Sequence, residues 1–472
     1  MSLITSVGTL AVMTIGGTTV VVYSTTNERQ ARISESRIRV DALAEAGLNE
    51  ALAVVANPAN NPFNPALLPQ RTSTYVNGTA TWSGVLDAAT STWTITSTGK
   101  VANPTQASEF SRTLTMQAPV SVPASRPFES PAWNYIYASA VGSTCDMTIQ
   151  QSVQVASPLY VRGNLCFQNT AHVTAGPLHV LGRLTLYQNA NSVGIASAPI
   201  NEARIGGGCV WKANPLHNPC SSADNVFASV LDSSPPDVAV PPADWQTWYL
   251  NASPGPYSPC TTPTGTPPTF DNDQGAPTSP DPTRRNNSVA VTFNLTPTVS
   301  YSCKTAGGEL SWDAYAKKLT VRGTIYIDGS AKIDNGFVNV YDGQATLYLT
   351  GTLLVRGTEL CAVVTADGSN CTAAGWDPNS RMLVVAAAGT AGQVPGGVSI
   401  QLVSASFQGA LYGVGAIEID TTSQAIGPLL GSTVVLGQSV TTSFPSVSFV
   451  PSGTPGQTYV PPTVGPARNY GG

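Results

Sequence analysis

The spacing of apolar positions changes character twice along the chain. Residues 1–27 carry no charged side chain. Leu3, Ile4, Val7, Leu10, Val12, Met13, Ile15, Val20, Val21, Val22 and Tyr23 make this stretch apolar, diluted by Thr, Ser and Gly. At 1.5 Å rise per residue, about 20 helical residues span a bilayer. Threonine hydroxyls can bond back to the preceding turn and lower their own cost in lipid. Gly8, Gly16 and Gly17 allow neighbouring helices to approach. From Glu28 to Ala56 the pattern becomes charged and amphipathic, with Ile33, Leu43, Ala46, Leu52 and Val55 on one broad face. Asn57-Pro58 then ends it, because proline lacks the amide proton and restricts the residue before it. The pattern predicts one helix of about 55 residues, roughly 80 Å long. A secretory signal would instead pair a basic start with a small-x-small cleavage site, and neither is clean here.

Beyond the helix the period shortens to two. Alternating runs at 74–82, 92–98 and 111–116 predict a β-meander over 71–118, laid against the second half of the helix. Residues 119–132 are Pro-rich and read as a linker. A pattern Leu-x-[Val/Leu]-x-Gly-x-[Leu/Ile] then recurs at 159–165, 178–184, 319–325 and 347–353. Each copy reads as strand, glycine, strand, so the head, in two parts over 133–207 and 319–466, is expected to be an irregular β-solenoid; a β-sandwich is the alternative. Residues 208–318 read as an excursion, and 467–472 as a flexible tail. The fold class expected is therefore α+β: a long N-terminal helix with a meander, then a mainly-β head.

Composition sharpens the compartment. Charged residues are 10% of the 472, against about a quarter in intracellular domains. The net charge of −5 is spread out and no basic stripe is present, which gives no support to nucleic-acid binding. Eight cysteines, Cys145, Cys166, Cys209, Cys220, Cys260, Cys303, Cys361 and Cys371, include no C-x-x-C pair. Joined in succession they close short loops, as expected of four disulfides in an oxidising compartment; other pairings stay open.

Candidate chemistry is sparse. His172 and His179 fall on predicted coils without a patterned carboxylate, and read as satisfied or surface residues. Cys209, His217 and Cys220 lack a fourth metal ligand, so a 209–220 disulfide is the simpler reading. Asp328, Lys332, Asp334 and Asp342 are the nearest approach to a lyase-like carboxylate cluster and read as solvated turns. Asp271-Asn272-Asp273-Gln274-Gly275 lacks the glycine and glutamate positions of an EF-hand loop. No catalytic residue, cofactor or metal is expected.

The helix running into Ala42-Leu43-Ala44-Glu45-Ala46-Gly47-Leu48-Asn49-Glu50-Ala51 resembles the N-terminus of type IV pilins, closest to the PilX-type pilus assembly proteins. In the head, Phe407-Gln408-Gly409-Ala410-Leu411-Tyr412 followed by Ile417-Glu418-Ile419 resembles the same group more loosely. The resemblance implies a mature, methylated Met1 left by a prepilin peptidase. It implies that Leu3, Thr5, Val7, Leu10, Val12, Ile15, Val20 and Val22 anchor the subunit in the cytoplasmic membrane and then polymerise. Thr5 stands where most major pilins carry glutamate, which leaves major and minor roles open. The partners implied are copies of the chain in a helical filament or other pilins, with a surface or glycan ligand for the head. A membrane-anchored adhesin is the main alternative, and a polysaccharide-acting enzyme a distant one.

Overall fold

The computed structural model describes residues 2–57, 60, 62, 67–87, 90–104, 107–121, 125–245, 292–305, 308–327, 329–389, 396–443, 445–458 and 463–471. They form two compact units, Met1–Ser121 with Pro461–Gly472, and Val122–Val460.

In the first unit, helix α1 runs unbroken from Ser2–Ala56, 55 residues, and stops directly before Asn57-Pro58. The Asn60 side-chain amide donates to Val54 O at 2.8 Å and closes the last turn. Four antiparallel strands follow: β1 (Arg71–Tyr75), β2 (Gly78–Asp87), β3 (Thr92–Ala102) and β4 (Glu109–Ser121). The run 74–82, expected as one strand, contains a hairpin. Tyr75 pairs with Gly78 across the two-residue turn Val76-Asn77. Strand β4 also absorbs the start of the expected linker, through Ser121. The tail expected to be flexible is a strand, Arg468–Gly471, paired antiparallel with β4. Asn469 donates to the Gln117 side chain at 2.6 Å and fastens it there.

The face that α1 buries is narrower than its sequence pattern predicts. Val40, Ala44, Leu48, Ala51 and Val55 are at most 5% exposed, whereas Ile33, Leu43, Ala46 and Leu52 are only half-buried. Alanines alternate with Val40, Leu48 and Val55 along the contact, and at Gly99 the helix backbone comes close to the sheet. A Cβ on Gly99 would stand 2.4 Å from Val40 O and 2.7 Å from Ala44 N.

The second unit is β-rich and paired in parallel, in a solenoid-like arrangement; a Greek-key sandwich would be antiparallel. Coils carry three short strands, as in Leu159–Val161, Leu165–Phe167 and His172–Val173, with one coil stacked on the next. Inward residues form ladders. Leu353, Ile400, Ile417, Val434, Met147, Leu165, Leu184 and Cys209 are successive partners, each 0% exposed. Glycines turn one corner: Gly182 N–H donates to Gly163 O at 3.0 Å, and Gly207 N–H to Gly182 O at 2.8 Å.

The ladder order is not the chain order. Coils 136–232 stack outward in sequence, but the strand Leu429–Gly431 pairs with Ile136–Ala138, and Val434–Leu436 with Met147–Ile149. The stack therefore reads from Lys318–Ile327 through Val434–Leu436, and only then from Ile136–Ala138 to Ala228–Asp232. An antiparallel hairpin, Tyr301–Thr305 with Gly308–Asp313, continues onto the Lys318 end. The expected excursion 208–318 thus begins and ends within the stack, with Cys209–Trp211, Ala228–Asp232 and Thr292–Asn294 as ladder strands. Disulfides Cys145–Cys166, Cys209–Cys220 and Cys361–Cys371 follow the successive pairing. Cys260 and the side chain of Cys303 lie outside the described residues.

Candidate membrane and assembly helix

From Ser6 to Ala31 every residue of α1 is exposed. Val7, Leu10, Val12, Met13, Ile15, Val20, Val22 and Tyr23 are 61–76% exposed. This stretch is long and apolar enough to cross a membrane. Its threonines return their hydroxyls to the helix. Thr18 donates to Thr14 O at 2.6 Å, Thr25 to Val21 O at 2.9 Å and Thr26 to Val22 O at 2.6 Å, while Thr14 and Thr19 bond to Leu10 O and Ile15 O. In hydrocarbon an unpaired hydroxyl is costly, so these bonds turn a Thr-rich helix into an effectively apolar rod. A Cβ built on Gly8, Gly16 or Gly17 meets nothing within 4 Å, so all three leave open notches on the bare half. Met1 and the side chains of Leu3 and Thr5 lie outside the described residues.

In the second half of the helix, polar contacts seat it on its sheet. Glu50 accepts from Ser73 Oγ, from Tyr75 Oη at 2.5 Å and from Trp82 Nε1 at 3.0 Å. The Ser73 and Tyr75 bonds hold its carboxyl below the usual range, against the opposing pull of burial. Burial and the Glu50 charge push the Tyr75 phenol up to about 12. Arg112 of β4 pairs with Asp41 at 3.4 Å on the opposite flank of the helix. No family model, curated protein or solved structure matches this chain.

The remaining sequence candidates do not converge. His172 Nδ1 meets Ser192 Oγ at 2.9 Å. The other two histidines have carboxylate partners, which the sequence pattern did not mark for His179: His179 Nε2 lies 2.9 Å from Glu202 and His217 Nδ1 2.5 Å from Asp224. The fold supplies these from Glu202, 23 residues on from His179, and Asp224, 7 on from His217, which no local pattern reveals. The His179 bond, then that of Arg204, lowers the Glu202 carboxyl. Lys332 pairs with Asp334 at 2.8 Å, and Asp342 with Lys318 at 3.1 Å, as separate surface ion pairs; Asp328 and 271–275 lie outside the described residues. Glu359, Cys361 and Cys371 place three metal-type ligand atoms together, but the two sulfurs are joined in a disulfide. A cystine sulfur has no thiolate to offer a metal.

Sequence reasoning missed Glu50 and the small-residue seat of α1. The signal of the seat was present in the spacing Val40, Ala44, Leu48, Ala51, Val55, a helical stripe in which alanines alternate with larger apolar residues.

Proposed function

We propose that this protein is a structural subunit of a type IV pilus-like filament, held in the membrane by the first half of α1 and polymerised through the same surface. One observation carries the reading: an uninterrupted 55-residue helix whose second half is seated on an antiparallel sheet while its first half is bare and apolar. An apolar surface of that extent requires cover. Lipid supplies it before assembly, and sibling helices supply it afterwards. Lipid tails and packed apolar helices are similar solvents, so association rests on close packing, and open glycines such as Gly8, Gly16 and Gly17 favour that. Disulfides fit a head outside the cell. We read that head as an irregular β-solenoid whose role is structural rather than catalytic.

The test is to shear cells and analyse what is released. A polymeric fraction containing this chain, with a methylated Met1, is the expected result. Protein confined to the membrane pellet would favour an anchored adhesin. An N-terminus beyond residue 20 would indicate a cleaved signal and overturn the proposal.

A further inference from the structure

The stack carries a second ladder, pointing outward. Tyr348, Ala386, Tyr412, Leu430, Tyr137 and Tyr160 are successive partners across six coils. The tyrosines are at most 8% exposed: residues 233–245 cross over them, Trp133 packs beside Tyr412, and the Tyr348 hydroxyl donates to Gly453 O at 2.6 Å. This crossing segment reads Ser-Ser-Pro-Pro-Asp-Val-Ala-Val-Pro-Pro-Ala-Asp-Trp. It belongs to no strand. Val238 and Pro241 are buried, Pro235 is half-buried, and Pro236, Asp237, Ala239, Val240 and Pro242 between and beside them are exposed. Burial at every third residue from Pro235 to Pro241 is the pattern of a polyproline-II helix lying on one of its three edges; it ends there, since Asp244 is exposed and Trp245 buried.

The tyrosines satisfy what such a helix leaves open. Polyproline II has no internal hydrogen bonds, and its carbonyls need outside donors. Tyr160 Oη donates to Pro236 O at 2.7 Å and accepts from Val238 N–H at 2.7 Å. Tyr137 Oη donates to Val238 O at 2.7 Å, and Tyr412 Oη to Pro241 O at 3.0 Å. Trp245 then sits edge-on to Tyr348, with ring centroids 4.8 Å apart.

The two periods match. Three polyproline-II residues advance about 9.3 Å, and two strand spacings are about 9.6 Å. Val238 and Pro241, three residues apart, meet Tyr137 and Tyr412, two coils apart. Any proline-rich segment of this form presents the same edge to every second coil.

We propose that this tyrosine ladder is a recognition face for a polyproline-II segment, filled here by residues 233–245 of the same chain and able to take the same segment of a second copy. The segment is held chiefly by side chains of the face, with Gly456 N–H to Pro242 O at 2.7 Å and Arg162 to Asp237 at 3.6 Å in addition. Exchange between copies therefore replaces like contacts with like and breaks no sheet.

The test uses the full chain in detergent and a fluorescent peptide of residues 233–245. Val238→Asp with Pro241→Gly loosens the chain's own segment and leaves the face intact. That variant is expected to bind the peptide, and the unaltered chain about tenfold or more weakly, because its own segment keeps most of the faces filled. Adding Tyr137→Phe and Tyr412→Phe returns the loosened variant to weak binding, and a peptide with glycine in place of its prolines does not bind. A loosened variant that still melts cooperatively yet binds no peptide, or binds the glycine peptide equally well, overturns the proposal. A second measurement needs no variant. Peptide above the roughly millimolar effective concentration of a tethered segment should accelerate hydrogen exchange at the Val238 amide of the unaltered chain. An unchanged rate there overturns the proposal as well.

Discussion

Single residues carry two kinds of constraint in this protein. The first is steric. A Cβ on Gly182 would lie 2.4 Å from Gly163 O and 2.6 Å from Asn164 Oδ1. The neighbouring coil cannot withdraw its backbone without lengthening the Gly182–Gly163 hydrogen bond. Gly182→Ala is therefore expected to destabilise the stack by about 1–3 kcal/mol, the usual cost of overpacking, seen as a lower melting temperature. This glycine was legible in the sequence because it recurs at one place in the 159–165 and 178–184 copies. The second constraint is polar, and Glu50 shows it. Its folded carboxyl titrates below the ordinary 4.5, so its bonds to Ser73 and Tyr75 stabilise the helix–sheet unit above that value. The contribution is lost as pH falls through the depressed folded value. Protection of the β1–β4 amides, taken as exchange relative to the intrinsic rate at each pH, should fall across that acid window in the native chain. Glu50→Gln should remove this pH dependence, while exchanging faster than the native chain at neutral pH. Nothing in the local sequence marked Glu50, since its three partners come from two strands 23 to 32 residues away.

Elements were read from the sequence more easily than their contacts. Helix α1 follows from the absence of any breaker before Asn57-Pro58, and its length is unaffected by what covers it. Its buried stripe was misjudged because Ala44 and Ala51 alternate on it with Val40, Leu48 and Val55, so that the stripe carries fewer large residues than the face at Ile33, Leu43 and Leu52. Two glycines at that contact differ in what they would meet. Gly99→Ala places a methyl against the Val40 carbonyl and the Ala44 amide, helix backbone that cannot yield, and is expected to cost about 1–3 kcal/mol. Gly47→Ala meets the Ser97 hydroxyl, which can rotate away, and the Ala80 and Ser97 Cβ atoms at 3.2 and 3.3 Å, a tight fit that offsets the roughly 1 kcal/mol gained in helix propensity. Urea midpoints should therefore fall for Gly99→Ala and stay near the native value for Gly47→Ala. In the stack, the 159–165 and 178–184 copies are in register as read, Leu159 with Leu178 and Leu165 with Leu184. The copies at 319–325 and 347–353 are not. Ile325 pairs with Leu347 and Ala331 with Leu353, so the true counterpart is Ile325-Tyr326-Ile327-Asp328-Gly329-Ser330-Ala331. The 319–325 match falls largely inside one long strand, Lys318–Ile327. Isoleucine at its first and third positions and alanine at its last hid the real copy from the pattern, which requires leucine, valine or leucine, and leucine or isoleucine there.

The chain path through the second unit could not be read from any repeat, because pattern gives neighbours in sequence and the stack closes between strands far apart. Within each half, a coil finds its neighbour close by, as Leu165 does with Leu184. The seam is different: Met147 must find Val434, on the order of 290 residues away, against about 19 for a pair inside one half. Loop-closure entropy grows as 1.5 RT ln n, which makes that seam about 2.4 kcal/mol more costly to close in an unstructured chain. Folding of each half first shortens the effective loop, so the two halves should form their own ladders and meet last. Refolding with disulfides intact, followed by pulsed hydrogen exchange, reads this directly. The amides of Leu165 and Ile417, bonded to Arg183 O and Thr433 O inside the halves, should gain protection early. Those of Gln150 and Ser439, bonded across the seam to Leu436 O and Gln151 O, should follow later, by a factor on the order of fifty if the full entropic difference is felt. Protection at Gln150 and Ser439 that arrives together with Leu165 would mean the seam nucleates the stack, and the order of assembly argued here would be reversed.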